Sequence, residues 1–138
     1  LALLLAALAA LHAYWGIGGV WPGVDAADCA RRVGGFRGAR TMPGPGACFA
    51  VAGALATAAL IAPATAGIFG TRVATLAALA GLVVVLVFLG RGIAGFTPAW
   101  RSITPEQPFA TLDVRYYSPL CLGIGVGFAV LSTMEFLR

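Results

Sequence analysis

The sequence has few charged residues, no lysine and a single histidine. Only 10% of its 138 residues are charged, against 60% that are hydrophobic, whereas soluble domains carry about 25% charged residues. This scarcity excludes an ordinary soluble domain, and the length leaves no room for a catalytic soluble domain beside the apolar segments. All nine basic residues are arginine, which we attribute to compositional bias. No basic cluster with interleaved aromatics is present, which excludes nucleic acid as a partner.

The groups from which catalytic and metal sites are built are also scarce. The three cysteines contain no CxxC pair, so neither a zinc site nor a thioredoxin-like pair is supported. One histidine cannot supply both axial ligands of a haem. The sequence also offers no nucleophile with a base, no metal cluster and no pair of buried carboxylates. These absences favour a protein that is not an enzyme.

Four charge-poor apolar segments predict transmembrane helices over about 1–21, 47–69, 73–95 and 118–137. Each has about the 20 residues that crossing the hydrocarbon requires, and in lipid a helix satisfies its own backbone groups. We therefore predict an all-α integral membrane protein, with residues 1–138 forming one transmembrane domain, a four-helix antiparallel bundle. Because residue 1 is leucine, we expect the natural chain to start further upstream.

The connections between these segments set the predicted shape. A tight reversal at residues 70–72 joins the second and third helices, whereas residues 22–46 and 96–117 form long loops. With four crossings, both long loops lie on the same side of the membrane. Six arginines in these loops favour a cytoplasmic face by the positive-inside rule. A disulfide between Cys29 and Cys48, which the sequence leaves open, requires that this face be oxidising. The two signals conflict, and we favour extracytoplasmic loops.

Two ionisable side chains within the predicted helices, His12 and Arg91, matter most for function. His12 lies about ten residues before the predicted end of its helix, or roughly 15 Å deep. Helical spacing places His12 with Trp15, Gly16 and Gly19 on a stripe that faces the bundle. An ionisable group in a membrane marks a candidate functional site. Three roles for His12 stay open: an interhelical hydrogen bond, proton handling or ligand contact, and one axial ligand of a haem or pigment.

A second polar group precedes the fourth helix. Arg91 lies about one turn inside the third helix, from where it can snorkel to water, and Asp113 lies on the same face, so we expect an ion pair between them. Such pairs more often close a bundle than perform chemistry. Ser118 followed by Pro119 predicts a helix start with serine as its cap. The candidate ligand-binding or buried polar residues are His12, Trp15, Arg91, Asp113 and Tyr117.

Short motifs along nearly the whole chain are similar to those of one known family. They are His12-Ala13-Tyr14-Trp15 with Gly18-Gly19 and Trp21-Pro22, then Met42-Pro43, Gly90-Arg91-Gly92, FATLD at 109–113 and YYSPLC at 116–121. The chain resembles a family of small bacterial four-helix membrane proteins that is described only as a domain of unknown function. The resemblance implies a single membrane domain in a bacterium, which we expect in the inner (cytoplasmic) membrane, and it implies no activity.

These observations favour a non-enzymatic multi-pass membrane protein, either a hydrophobic-ligand binder or an accessory subunit of a membrane complex. A lipid, a quinone, a haem or a pigment stays open as the ligand, and the expected partners are the lipid bilayer and another membrane protein or a second copy of the chain. The alternative is a small membrane enzyme or thiol-redox protein with a lipid-accessible pocket at the long-loop face. A transporter ranks third, since no pair of broken helices repeats between the halves.

Overall fold

A computed structural model describes residues 1–138, which form helices and the turns between them. The four long apolar helices are α1 (Ala2–Gly16), α3 (Pro45–Thr65), α4 (Thr71–Ala94) and α7 (Ser118–Phe136). Three shorter helices are α2 (Ala26–Val33), α5 (Pro98–Ile103) and α6 (Phe109–Leu112). A π-helical turn over Asp113–Tyr117 joins α6 to α7, so one helical segment runs over Phe109–Phe136.

Three segments are long and apolar enough to cross a membrane: α3, α4 and the segment Phe109–Phe136. Helix α1 is also apolar, but its 15 residues span about 22 Å at ~1.5 Å per residue, less than the ~30 Å of a hydrocarbon core. The helix ends at Gly16, so the predicted end at about residue 21 is wrong. Gly18 explains the early end, because its φ of +93° is left-handed and cannot continue a right-handed helix.

The other boundaries lie close to the predicted ones. Helix α3 begins with Pro45, where a helix needs no amide donor, and ends two residues after Pro63, as expected for a proline near the last turn. The reversal between α3 and α4 is tight, as predicted, but it precedes residue 71. Gly67 and Gly70 both have positive φ there, which only glycine adopts without strain.

The long helices associate as two pairs, α1 with α3 and α4 with α7, and α3 also contacts α4. Two glycines allow α4 and α7 to approach closely. A Cβ at Gly92 would lie 2.6 Å from Leu122, and a Cβ at Gly125 would lie 2.7 Å from Leu89. Each leucine thus occupies the space above a glycine of the other helix, which is how membrane helices pack closely.

The buried core joins α1, α3 and α7. It consists of Leu5, Ala9, Leu55, Ala58, Ala59, Ala62, Ile124 and Phe128. Its members on α1 lie in the part of that helix farthest from the long loops. On the outside, Leu60, Leu76 and Leu86 are largely exposed, and an apolar exterior of this kind suits lipid better than water.

The two long loops are joined to each other by hydrogen bonds and form one layer. The guanidinium of Arg37 donates to the carbonyl of Ser102 at 3.0 Å, and the amide of Gly38 donates to the carboxylate of Glu106 at 3.0 Å. The amide of Glu106 in turn donates to the carbonyl of Gly35 at 3.2 Å. We call this layer, residues 17–44 and 95–117, the loop cap.

Candidate functional site

An apolar groove of about 1220 Å³ lies between the helix pairs, next to the loop cap. Of its 25 lining residues, 21 are hydrophobic. Side chains of α1, α3, α4 and α7 form its walls, and the loop cap adds a roof of Trp21, Pro22, Val33 and Phe109. Leu55, Ala58 and Ile124 belong to both the groove wall and the buried core, so part of the groove wall is formed by the core.

The groove opens to the outer surface between α3 and α4. Among its lining residues, Val51 on α3 is 43% exposed, and Val83 and Val87 on α4 are each 61% exposed. Both helices are long and apolar enough to cross a membrane, so this opening lies at the level that hydrocarbon occupies around such helices. The groove is therefore accessible from the apolar outer surface of these two helices.

The structure brings the five predicted site residues together near the loop cap. Four of them, His12, Trp15, Arg91 and Tyr117, line the groove. The fifth, Asp113, is fully buried and lies behind Arg91, with which it forms an ion pair. The polar part of the groove is thus concentrated at its roofed end.

His12 lies about one turn from the end of α1, because the helix ends at Gly16. Its Nδ1 is 2.8 Å from the carbonyl oxygen of Leu8, one turn back on the same helix, so the hydrogen bond that His12 makes lies within α1 and does not join two helices. A carbonyl only accepts, so Nδ1 carries the proton. In the neutral ring Nε2 is then an acceptor, and it faces no protein donor.

Asp113 accepts hydrogen bonds from four side chains. Its Oδ1 lies 2.7 Å from Nη2 of Arg91 and 3.0 Å from the hydroxyl of Ser118. Its Oδ2 lies 2.9 Å from Nε1 of Trp100 and also contacts the guanidinium of Arg101. The expected ion pair between Arg91 and Asp113 is confirmed, but Arg91 points inward to the carboxylate and does not snorkel outward.

The π-helical turn explains how Ser118 reaches Asp113. With 3.6 residues per turn, side chains five residues apart on an α-helix point to different sides. In the π turn the amide of Ser118 donates to the carbonyl of Asp113, and this wider turn brings the two side chains to one side. Ser118 is therefore not the predicted helix cap, since its hydroxyl serves the buried carboxylate.

Gly95 provides the space for this cluster at the end of α4. A Cβ at residue 95 would lie 1.7 Å from Oγ of Ser118 and 3.1 Å from Nη1 of Arg91. The guanidinium of Arg91 also stacks over the Trp100 ring at 4.6 Å from its centroid. Arg91 is consequently held by a carboxylate, a hydroxyl and an aromatic face at once.

Tyr117 attaches the roof of the groove to α7. Its hydroxyl donates to the carbonyl of Arg32 at 3.2 Å, and its ring lies 5.7 Å from the ring of Phe109. Phe109 in turn packs against Gly35, where a Cβ would lie 2.2 Å from its ring. Tyr117 therefore has a structural role in holding α2 over the groove.

Helix α2 is fixed by two aspartates at its first turn. Asp25 accepts from the amide of Asp28 at 2.8 Å, as an N-cap residue does, and Asp28 accepts from the amide of Val24, the residue before the cap, at 3.2 Å. The side-chain hydrogen bond from Arg32, at 2.8 Å, lowers the pKa of Asp28 below its ordinary value. The ionised carboxylate thus stabilises the helix that carries part of the roof.

This electrostatic arrangement predicts that α2 loosens in acid. Because the pKa of Asp28 is lower in the folded state, ionisation of this carboxylate stabilises the fold. The full contribution is present above the ordinary pKa of an aspartate, and it is lost as the pH falls through and below about 4. Hydrogen exchange, corrected for the intrinsic effect of pH, should show residues 26–33 losing protection below pH 4, while the uncharged segment 79–87 keeps it. The variant Asp28→Asn should remove this pH dependence, and equal loss in both segments would contradict the assignment.

The three cysteines are free thiols in different surroundings. Cys29 donates to the carbonyl of Trp21 at 3.7 Å, Cys48 donates to that of Pro43 at 3.6 Å, and Cys121 lines the groove. Burial raises the pKa of Cys29, which disfavours the thiolate that redox chemistry needs. The pairing of Cys29 with Cys48 stays a prediction.

Two members of the Asp113 cluster, Trp100 and Arg101, were not predicted. A signal for them exists in the sequence, because an aromatic and a basic residue stand side by side between Pro98 and Pro105. The pattern Thr97-Pro98 also marks a helix start, and the Thr97 side chain does accept from the amide of Trp100. The short helix that results presents both side chains to one carboxylate.

The fold and site define an all-helical protein with segments able to cross a membrane and an apolar groove that ends at a buried ionic cluster. A family model described as "Protein of unknown function (DUF3995)" matches residues 5–128, and the chain therefore belongs to that family. The match includes every residue of the groove and of the Asp113 cluster. No curated protein and no solved structure matches the chain.

Proposed function

We propose that this protein is a non-enzymatic multi-pass protein of the bacterial inner membrane whose groove binds a hydrophobic ligand from the bilayer. In this proposal α1, α3, α4 and α7 form a four-helix antiparallel bundle. The three segments long enough to cross a membrane and the exposed leucines on their outer faces support the membrane location. The family membership assigns no activity, so the ligand is argued from the groove alone.

The observation that carries the proposal is the size and lining of the groove. Its volume of about 1220 Å³ exceeds the ~300–1,000 Å³ of typical small-molecule pockets, which leaves room for a long hydrocarbon chain. The polar groups His12 and Arg91 lie at the roofed end, whereas the rest of the wall is almost entirely apolar. This distribution suits an amphiphile, such as a lipid or a quinone, with its polar end next to the loop cap.

Native mass spectrometry after extraction in a mild detergent tests this proposal. We expect the natural protein to carry one hydrophobic small molecule, and the variant Ala54→Phe, which puts a ring into the groove wall, to lose most of it. Ala56→Phe is the matched control, because Ala56 is exposed on the same helix but does not line the groove. It should keep the ligand.

Two results would overturn the ligand-binding proposal. One is a natural protein that carries no small molecule in any mild detergent. The other is equal ligand content in Ala54→Phe and Ala56→Phe. A stoichiometric protein that co-purifies with the natural chain and is lost only in Ala54→Phe would favour the accessory-subunit role instead.

A further inference from the structure

The Asp113 cluster contains more positive than negative charge. Two guanidinium groups, those of Arg91 and Arg101, face one carboxylate, and Asp113 is the only carboxylate within 4.0 Å of either. The cluster therefore carries one positive charge in excess beside an apolar groove. An uncompensated charge in such surroundings is unfavourable, so an anion that joins the cluster is stabilised.

Arg91 is the member of the cluster that faces the groove. Its side chain is 28% exposed, and it lines the groove wall, whereas Arg101 does not. Of the five N–H groups of a guanidinium, one donates to Asp113 and one to Ser118. The other three have no protein acceptor, and they suit the planar, two-oxygen geometry of a carboxylate or phosphate.

The position of Arg91 is fixed before any ligand arrives. Asp113, Ser118 and the Trp100 ring contact it from different directions. A side chain that is already ordered loses little conformational entropy on binding. His12 adds an acceptor, Nε2, on the α1 wall of the same groove, which can receive a hydroxyl of a headgroup.

We propose that the groove selects amphiphiles with an anionic headgroup, whose carboxylate or phosphate oxygens bind Arg91 while the hydrocarbon chain occupies the groove between α3 and α4. This inference rests on the proposed function, since it names the class of ligand for the same groove. A free fatty acid and an anionic phospholipid both have this chemistry. Neutral amphiphiles of the same length bind the groove without the contribution of Arg91.

Quenching of tryptophan fluorescence by brominated amphiphiles tests the proposal on the full chain in a neutral detergent. Trp15 and Trp21 line the groove and report its occupation. The probes are dibrominated stearic acid, at a pH where it is ionised, and its methyl ester, which has the same chain without the charge. We expect the acid to bind at least about tenfold more tightly, because hydrogen bonds to charged groups are the stronger ones.

Variants of Arg91 then locate the preference. Arg91→Gln should bring the acid and the ester to equal affinity by weakening the binding of the acid, and continued binding of the ester shows that the groove is intact. Arg91→Lys keeps the ion pair with Asp113 but loses the planar, two-donor geometry of the guanidinium, and it should lower the affinity for the acid severalfold. Arg115→Gln removes an exposed arginine outside the groove and should keep the full preference, although its net charge equals that of Arg91→Gln.

Bilayer nanodiscs distinguish the two sources of the anion. If brominated phosphatidylglycerol quenches the fluorescence more than brominated phosphatidylcholine, and Arg91→Gln removes this difference, the ligand is a phospholipid. If the preference is confined to the free acid, the ligand is a fatty acid. Equal binding of acid and ester to the natural protein, or an unchanged preference in both Arg91 variants, overturns the inference and leaves the groove as a neutral-ligand site. If neither probe binds, the proposed function itself fails.

Discussion

The substitution Asp113→Asn is expected to lower the free energy of unfolding by about 3 kcal/mol, the lower end of the range for breaking a buried ion pair. The neutral amide cannot balance Arg91 and Arg101, so two charged groups remain beside an apolar groove with no counter-ion. Both arginines are partly exposed, at 28% and 25%, which keeps the effect from being larger. Unfolding in mixed micelles with increasing dodecyl sulfate, followed by circular dichroism, measures the change.

Asp28→Asn is the matched control for this substitution. Asp28 also pairs with two arginines, Arg31 and Arg32, but their side chains are 41% and 40% exposed, and exposed pairs contribute only about 0–1 kcal/mol. The measurement should be made near neutral pH, where both aspartates are ionised. If the two variants unfold at the same concentration of dodecyl sulfate, Asp113 does not hold the helices together as the structure indicates.

Gly95→Ala should be the second most damaging substitution, at about 2–3 kcal/mol, because an added methyl group has no space beside Ser118. The hydroxyl of Ser118 must leave its position, and Asp113 then loses one of its four donors. Gly90→Ala, inside α4, should change the stability in the opposite direction. No atom lies within 4 Å of a Cβ at residue 90, and alanine is favoured over glycine in a helix by about 1 kcal/mol.

The same unfolding measurement checks both glycine variants. The free energies of unfolding of the two variants should differ by about 3–4 kcal/mol, the sum of a steric loss at Gly95 and a gain in helix propensity at Gly90. Two variants that are equally stable would show that α4 and the segment that starts α7 adjust easily, and that the cluster tolerates a rearranged Ser118.

The long helices could be predicted because lipid imposes a simple requirement on them. An uncharged apolar stretch of about 20 residues has few alternatives to a helix, and the boundaries of α3, α4 and α7 accordingly lie near the predicted ones. The end of α1 was predicted wrongly because hydropathy continues to Trp21 while the backbone conformation of Gly18 stops the helix. Composition does not distinguish an apolar turn from an apolar helix.

A lipid-accessible pocket at the long-loop face was among the predictions, but the walls of the groove could not be predicted, because they depend on how the two helix pairs pack against each other. The close approach of α4 to α7 uses Gly92 and Gly125, whereas a Cβ at Gly123 of α7 would have no atom within 4 Å. Sequence spacing alone does not distinguish these glycines. Residues of the Asp113 cluster were partly predicted, since opposite charges in apolar surroundings must meet. The hydrogen-bond partner of His12 was not predicted, because the carbonyl of the preceding turn is available to any donor side chain on a helix.

The sideways opening of the groove also determines how its occupancy depends on the amount of ligand. In the proposed function, the hydrophobic molecule reaches the groove between Val51 and Val83 from the bilayer, where such a molecule concentrates. The mole fraction of ligand in the membrane, and not its aqueous concentration, therefore sets the fraction of protein that is occupied. Adding ligand-free vesicles dilutes the ligand without changing the ratio of ligand to protein, and it empties the groove.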